Sequence, residues 1–204
     1  MARRTPEEAE QTRKTLLETA LALYAEHGIY SVSLKRIAAE SGVTHGAVYW
    51  HFKSRDDLVL SLKEHYTLPF AEHYFEHLQA IDQNALKALK NLLIDIVTQI
   101  EANTHYHQIY TLFHKRSCEL SQVPHLEPLL QQDWHTWTDY INKFLKQARK
   151  QKQLSKSTKE QPYAELLLCL IFGLLDSSHY QPKPADRKTL IRQSVQRALD
   201  GLKH

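Results

Sequence analysis

The chain has 204 residues and a net charge of +3, an excess too small for a protein that is basic throughout, so any nucleic-acid contact falls to a local patch. Only five glycines and seven prolines in a Leu-, Ala-, Lys- and Gln-rich sequence point to an all-α fold. A polar, charged N-terminus argues against a secretory leader, and the longest apolar run, Leu166 to Leu175, is too short for a membrane span. Two cysteines are too few for a disulfide framework and fit reduced thiols in a cytoplasmic protein.

In chain order, the first predicted helix runs from Pro6 to His27, with proline early in its first turn and Gly28 just past its end. Leu17, Ala20, Leu21 and Tyr24 form its apolar stripe. Arg3 and Arg4 precede it, either as a basic arm for phosphates or a minor groove or as a frayed, solvated terminus.

Ser33 to Arg55, SLKRIAAESGVTHGAVYWHFKSR, carries the densest signal. Ser33 caps a helix over Leu34 to Ser41 that turns Leu34, Ile37 and Ala38 inward. Gly42 supplies a left-handed helix end, Val43 plugs the corner, and Thr44 caps a second short helix with Ala47 and Val48 inward. This is a helix-turn-helix over residues 33–52, in which the second helix enters the major groove. His45, Gly46, Tyr49, Trp50 and His51 point outward. His45 is the expected base reader, and Gly46 and Ala47 are small enough for close approach to a base edge. Tyr49, His51 and Lys53 suit phosphate oxygens, while Ser33, Lys35, Thr44 and Trp50 complete the predicted contact set. From Ser31 to Arg55 there are four basic residues and one acid, Glu40, a local excess that favours DNA over a plain core role for these aromatics. Ser54 caps the next helix, with Asp57 as the acid of an S-x-x-D capping box.

A long helix is predicted over residues 55–81, bent at Pro69 or divided at Leu68–Pro69. Further helices are expected over residues 84–102, 104–121, 124–150, 161–178 and 185–202, for a total of about nine. The tract Lys146 to Lys159 holds six basic residues and no acid and reads as a solvated helix end and loop. The helix over 161–178 is apolar almost all round, and a subunit interface is the simplest way to bury it. Leu166, Leu170 and Leu174, with Ile191, Val195 and Ala198 of the last helix, are the predicted contacts of a homodimer built as a four-helix interface.

The segment GVTHGAVYWHFKSRDDL resembles the DNA-binding signature of the TetR family of transcriptional repressors. The run from Met1 to Gly28 is similar to the start of AcrR-type members, which control multidrug efflux pumps. IYTLFHKRSCEL, residues 109–120, is similar to a His-Lys-Cys-Glu segment in the ligand domain of those regulators. The match is tight over residues 1–70 and elsewhere rests on helix count and length. It implies a DNA-binding domain over 1–55, a connecting helix over 55–81, and a ligand-binding and dimerisation domain within 56–204. It also implies a palindromic operator bound by a dimer, and release by a hydrophobic small molecule. Tyr66, Phe70, Ile109, Phe113, Trp134, Trp137 and Phe172 are the candidate apolar lining for that ligand, with Asp176 as a carboxylate for a cationic one. One departure stands out: close relatives commonly carry Arg where this chain has His45, and an imidazole cannot make the same fork to guanine.

Other classes fare less well. No glycine-rich phosphate loop, nucleophile elbow or supported Cys–His pair is present, so no enzyme and no cofactor are expected. His73 and His77 share a helix face four residues apart, with Glu72 and Glu76 near and His105 and His107 beyond. They assemble no known zinc pattern and read as solvated positions, so no metal is expected. A regulator of a metabolic or lipid pathway is the alternative function. A metal-responsive sensor and an architectural DNA binder stand behind it.

Overall fold

The computed structural model describes residues 5–178 and 186–203, without the side chain of Ser117; Arg3, Arg4 and Ala185 lie outside the described residues. Among the described residues every regular element is helical, as expected. The chain divides into two compact units, Met1–Thr67 with His107–Leu130, and Leu68–Tyr106 with Gln131–His204.

In the first unit, α1 (Pro6–His27) begins at a reciprocal capping box. Thr5 Oγ1 accepts from the Glu8 N–H at 3.2 Å, and the Glu8 carboxylate accepts from the Thr5 N–H at 3.0 Å. Leu16, Leu17, Ala20, Leu21, Tyr24 and Ala25 are buried on one side, against α2 (Leu34–Glu40) and α4 (Arg55–His65). Between them, α3 (His45–His51) crosses α2, and Val48 is fully buried at the crossing. The turn joining α2 to α3 uses Gly42 at φ +67°, and the Val43 N–H closes back on the Ala38 carbonyl at 3.0 Å.

The long helix expected over 55–81 is two helices, α4 and α5 (Phe70–Leu78). Proline explains the break four residues ahead of itself: Pro69 has no N–H for the His65 carbonyl, its ring would crowd that carbonyl in a continuous helix, and it disfavours helical geometry at Leu68. Tyr66 becomes the extended C-cap of α4 and so lies outside the helix that carries Phe70 and Tyr74.

The helix expected over 104–121 is also interrupted. It comprises α7 (Thr104–Tyr110), a π-helical turn (Thr111–Lys115) and α8 (Ser117–Leu120). The Arg116 N–H reaches the Thr111 carbonyl at 3.1 Å, five residues back, and one inserted residue rotates the downstream helix by about 100°. Beyond that turn, Arg116 and Glu119 form a clamp on the end of α1. The Arg116 guanidinium donates to the carbonyls of Ala25 (3.2 Å) and Glu26 (2.9 Å), two of the unpaired acceptors at the helix end. Glu119 accepts from the Ile29 N–H at 2.8 Å and from Arg116 at 2.9 Å. Gly28 makes the approach possible: its φ is +88°, and a Cβ there would stand 2.9 Å from Glu119 Oε2. His114 in the π-turn is held neutral, its pKa pushed down to about 3 by burial and secondarily by the Lys63 ammonium.

The second unit is organised on α6 (Ala85–Ala102), which packs against α5, α10 (Glu160–Ser177) and α11 (Arg187–Asp200). Asn84 caps α6 through its Lys87 N–H, and two side chains from the basic tract serve the same helix end. Gln151 accepts from the Ala85 N–H at 2.9 Å and Gln153 from the Leu86 N–H at 3.0 Å. Arg149 pairs with Glu160 and donates to the Thr158 carbonyl, so this tract is tied into the fold at several points. The helix α9 (Leu126–Lys150) buries Trp137, Ile141, Phe144 and Ala148, four, three and four residues apart.

Gly28→Ala combines a strained φ with a clash against Glu119, and is expected to lower unfolding stability by about 1–3 kcal/mol. Urea denaturation checks this, with Gly46→Ala, where a Cβ meets nothing within 4 Å, as the tolerated comparison.

Candidate nucleic-acid interface

The exposed face of α3 is set by where its caps fall. Thr44 accepts from the Ala47 N–H at 3.3 Å, Ser33 from the Arg36 N–H at 3.1 Å and Ser54 from the Asp57 N–H at 3.1 Å. The capping box expected at Ser54 is modified: the Asp57 carboxylate accepts from the Lys53 N–H at 2.7 Å, one residue before the cap. That bond fixes the backbone of Lys53 next to the reading helix.

These three helix starts meet around an open groove of about 420 Å³ lined by Ser33, Leu34, Lys35, His45, Tyr49, Lys53, Ser54 and Arg55. Five of the predicted contact residues therefore come together from three elements. Three cations and no carboxylate line the groove, an arrangement that attracts phosphate oxygens. Tyr49 is half exposed, and its ring meets the His45 imidazole edge-on at 4.9 Å, which supports the imidazole against the helix surface. Trp50 is 72% exposed and stands edge-on to His51 at 4.5 Å. No core role accounts for so large an exposed apolar ring. Gly46 is exposed, while Ala47 and His51 are half-buried, so the outward face of the helix is Gly46, Tyr49 and Trp50 with His45 at its start.

Arg55 and Tyr30 extend the surface beyond the predicted residues. Arg55 lines the groove, and its guanidinium sits 5.5 Å from the ring centroid of Tyr30, itself 45% exposed. The sequence signal for Arg55 is its charge beside the Ser54 cap. Tyr30 has none, since a loop tyrosine joins the surface only through tertiary folding.

Residues 16–62 match the profile described as "Bacterial regulatory proteins, tetR family". This segment is a TetR-family DNA-binding domain. Similarity to individual TetR-family proteins extends well beyond the matched segment. The chain is 29% identical over 197 residues to the HTH-type transcriptional regulator AcrR of Shigella flexneri, covering 96% of this chain and 91% of that protein. It is 26% identical to the HTH-type transcriptional repressor BepR of Brucella suis biovar 1 (strain 1330), covering 85% and 83%. Among solved structures, NalD, the secondary repressor of the MexAB-OprM multidrug efflux pump in Pseudomonas aeruginosa, superposes with a TM-score of 0.76 at 23% identity, covering 97% and 98%. SmeT, the repressor of the Stenotrophomonas maltophilia multidrug efflux pump SmeDEF, gives 0.68 at 20% identity over 95% and 91%, and its triclosan complex gives the same score. The N-terminal helices thus carry a TetR-family DNA-binding domain, and the relatives matched over most of the chain are named transcriptional regulators, not enzymes.

The residues predicted to line a ligand site fall in different units. Tyr66, Ile109 and Phe113 belong to the first, where Ile109 and Phe113 are buried. Phe70, Trp134, Trp137 and Phe172 belong to the second and form an aromatic cluster. Phe70 stacks on Trp137 at 4.2 Å, and Phe172 stacks on Trp134 at 5.8 Å and lies 6.0 Å from Trp137. Asp176 is exposed near the end of α10.

The predicted dimer contacts separate as well. Leu174, Ile191 and Val195 are buried inside their own unit, the last two against α6, so they offer no surface to a partner. Leu166 is 50% exposed, Leu170 and Ala198 are half-buried, and Cys169 and Gly173 continue the exposed strip along α10. An all-apolar helix hides which of its faces the core will take; α6 and α11 take the one carrying Leu167, Leu168, Ile171 and Leu175. The histidines depart from expectation too: His73 is buried, and the His77 side chain is 13% exposed.

Lys53→Ala is expected to weaken binding to every operator alike and to reduce the slope of log K against log salt by about 1. His45→Arg is expected to leave that slope alone and to change the preferred base at one position of each half-site. Salt-dependent fluorescence anisotropy with selection from a random-sequence pool measures both.

Proposed function

We propose that this TetR-family repressor controls multidrug efflux pump genes in the cytoplasm, binding a palindromic operator as a homodimer and leaving it when a hydrophobic small molecule binds. Two reading helices held about 34 Å apart would read half-sites one helical turn apart. A ligand favouring a different spacing then releases the DNA, provided that it binds the released form more tightly.

The observation that carries this reading is the aromatic cluster of Phe70, Trp134, Trp137 and Phe172, whose stacked rings make an apolar surrounding of the kind that holds drug-sized compounds. NalD and SmeT, similar in fold over nearly the whole chain, are efflux pump repressors, and SmeT has been solved with triclosan. The exposed apolar strip of Leu166, Cys169 and Gly173 on α10 supports pairing with a second copy.

The test uses DNA from the upstream region of its own gene. Footprinting is expected to protect an inverted repeat at two chains per site. Triclosan is expected to quench the fluorescence of Trp134 and Trp137 and to weaken DNA binding at least tenfold. Release by fatty acyl compounds with no response to triclosan or other hydrophobic drugs would replace this reading with regulation of a lipid pathway.

A further inference from the structure

The second unit contains a side-chain cluster that DNA reading and drug release do not use. In α5, His73, Glu76 and His77 stand three and four residues apart, a spacing that puts all three on one face of the helix. Each offers one ligand atom, and those atoms lie within 4.8 Å of one another. We propose that His73, Glu76 and His77 form a binding site for a divalent transition metal of the zinc type.

Three features of the cluster favour a metal over a plain surface ion pair. The first is distance. His73 Nδ1 and Glu76 Oε2 are 3.3 Å apart. Tetrahedral zinc with bonds of about 2.0–2.1 Å spaces its ligand atoms about 3.4 Å apart, so this edge of the site is already set.

The second is the support behind the ligands. His77 Nε2 lies 2.8 Å from Asp95 Oδ2 on α6, so a carboxylate from a neighbouring helix orients the ring and leaves its other nitrogen for the metal. The neighbouring Glu72 is engaged elsewhere, with the Tyr106 hydroxyl 3.4 Å from its carboxylate, which leaves Glu76 as the carboxylate of the site.

The third is the balance of burial and charge. His73 is buried and His77 nearly so, while the Glu76 side chain is 65% exposed. Two imidazoles form the floor, and a carboxylate arm at the rim can close onto an ion arriving from solvent. Glu76 and Asp95 together carry the two negative charges that offset the ion. Three protein ligands leave the fourth position to water.

The site is independent of the efflux reading and is tested without DNA. Tag-free full-length protein is titrated with cobalt(II), read by its visible absorption, and with zinc by calorimetry. One ion per chain is expected. Glu76→Gln, at an exposed position, and His77→Gln are each expected to weaken binding at least tenfold, and Asp95→Asn by about 10–100-fold. Circular dichroism checks that each variant keeps its helix content. Thirteen histidines give weak binding elsewhere on the chain, so the variants decide the result. Absence of a saturable site, or affinity unchanged in Glu76→Gln and His77→Gln, overturns the proposal.

Discussion

The grip of Arg116 and Glu119 on the end of α1 is the constraint on which the DNA-reading surface rests. A helix end exposes carbonyls that need partners, and here a guanidinium from a segment about ninety residues away supplies them. The Glu119 carboxylate fixes the next N–H, at Ile29, and neutralises the same guanidinium. Because α1 packs on both α2 and α4, anchoring its end anchors the frame that aims α3. The interaction is charged, bidentate in effect and partly shielded from water, the setting in which such bonds contribute most. It depends on a glycine that few substitutions can replace and on a π-turn that brings Arg116 and Glu119 into phase.

That constraint gives the segment 107–130 a role that its similarity to a ligand-domain motif does not suggest. By compactness it belongs with the DNA-reading helices. The stretch HKRSCEL holds Arg116 and Glu119 together with His114, which stays neutral because desolvation opposes its charge. The segment that holds the end of α1 continues directly into α9.

The features legible in the sequence are local ones. Ser33, Thr44 and Ser54 each cap the helix expected of them, Gly42 takes the left-handed turn, and Val48 is buried while Tyr49 and Trp50 are exposed. Spacing and punctuation encode such features within a few residues. The Thr5–Glu8 capping box carries the same kind of signal three residues apart, although the proline beside it is the more visible mark of the helix start. Pro69 is visible as a disturbance, but whether it bends or ends a helix depends on packing around Leu68 that no local pattern records. The clamp, the glutamine caps on α6 and the burial of His73 join residues far apart in sequence, where periodicity says nothing. Ile191 and Val195 illustrate a further limit. An apolar stripe tells that a face is buried, yet its own core and a partner subunit demand the same residues.

The most direct measurement of whether the clamp aims α3 is the operator affinity of Arg116→Gln as a function of salt. Loss of the guanidinium removes none of the groove's cations, Lys35, Lys53 and Arg55. Affinity is predicted to be at least tenfold weaker at every salt concentration, with helix content and salt slope unchanged, because the phosphate contacts remain while the aim of α3 is lost. Wild-type affinity in a folded Arg116→Gln protein would contradict the dependence of DNA reading on the clamp.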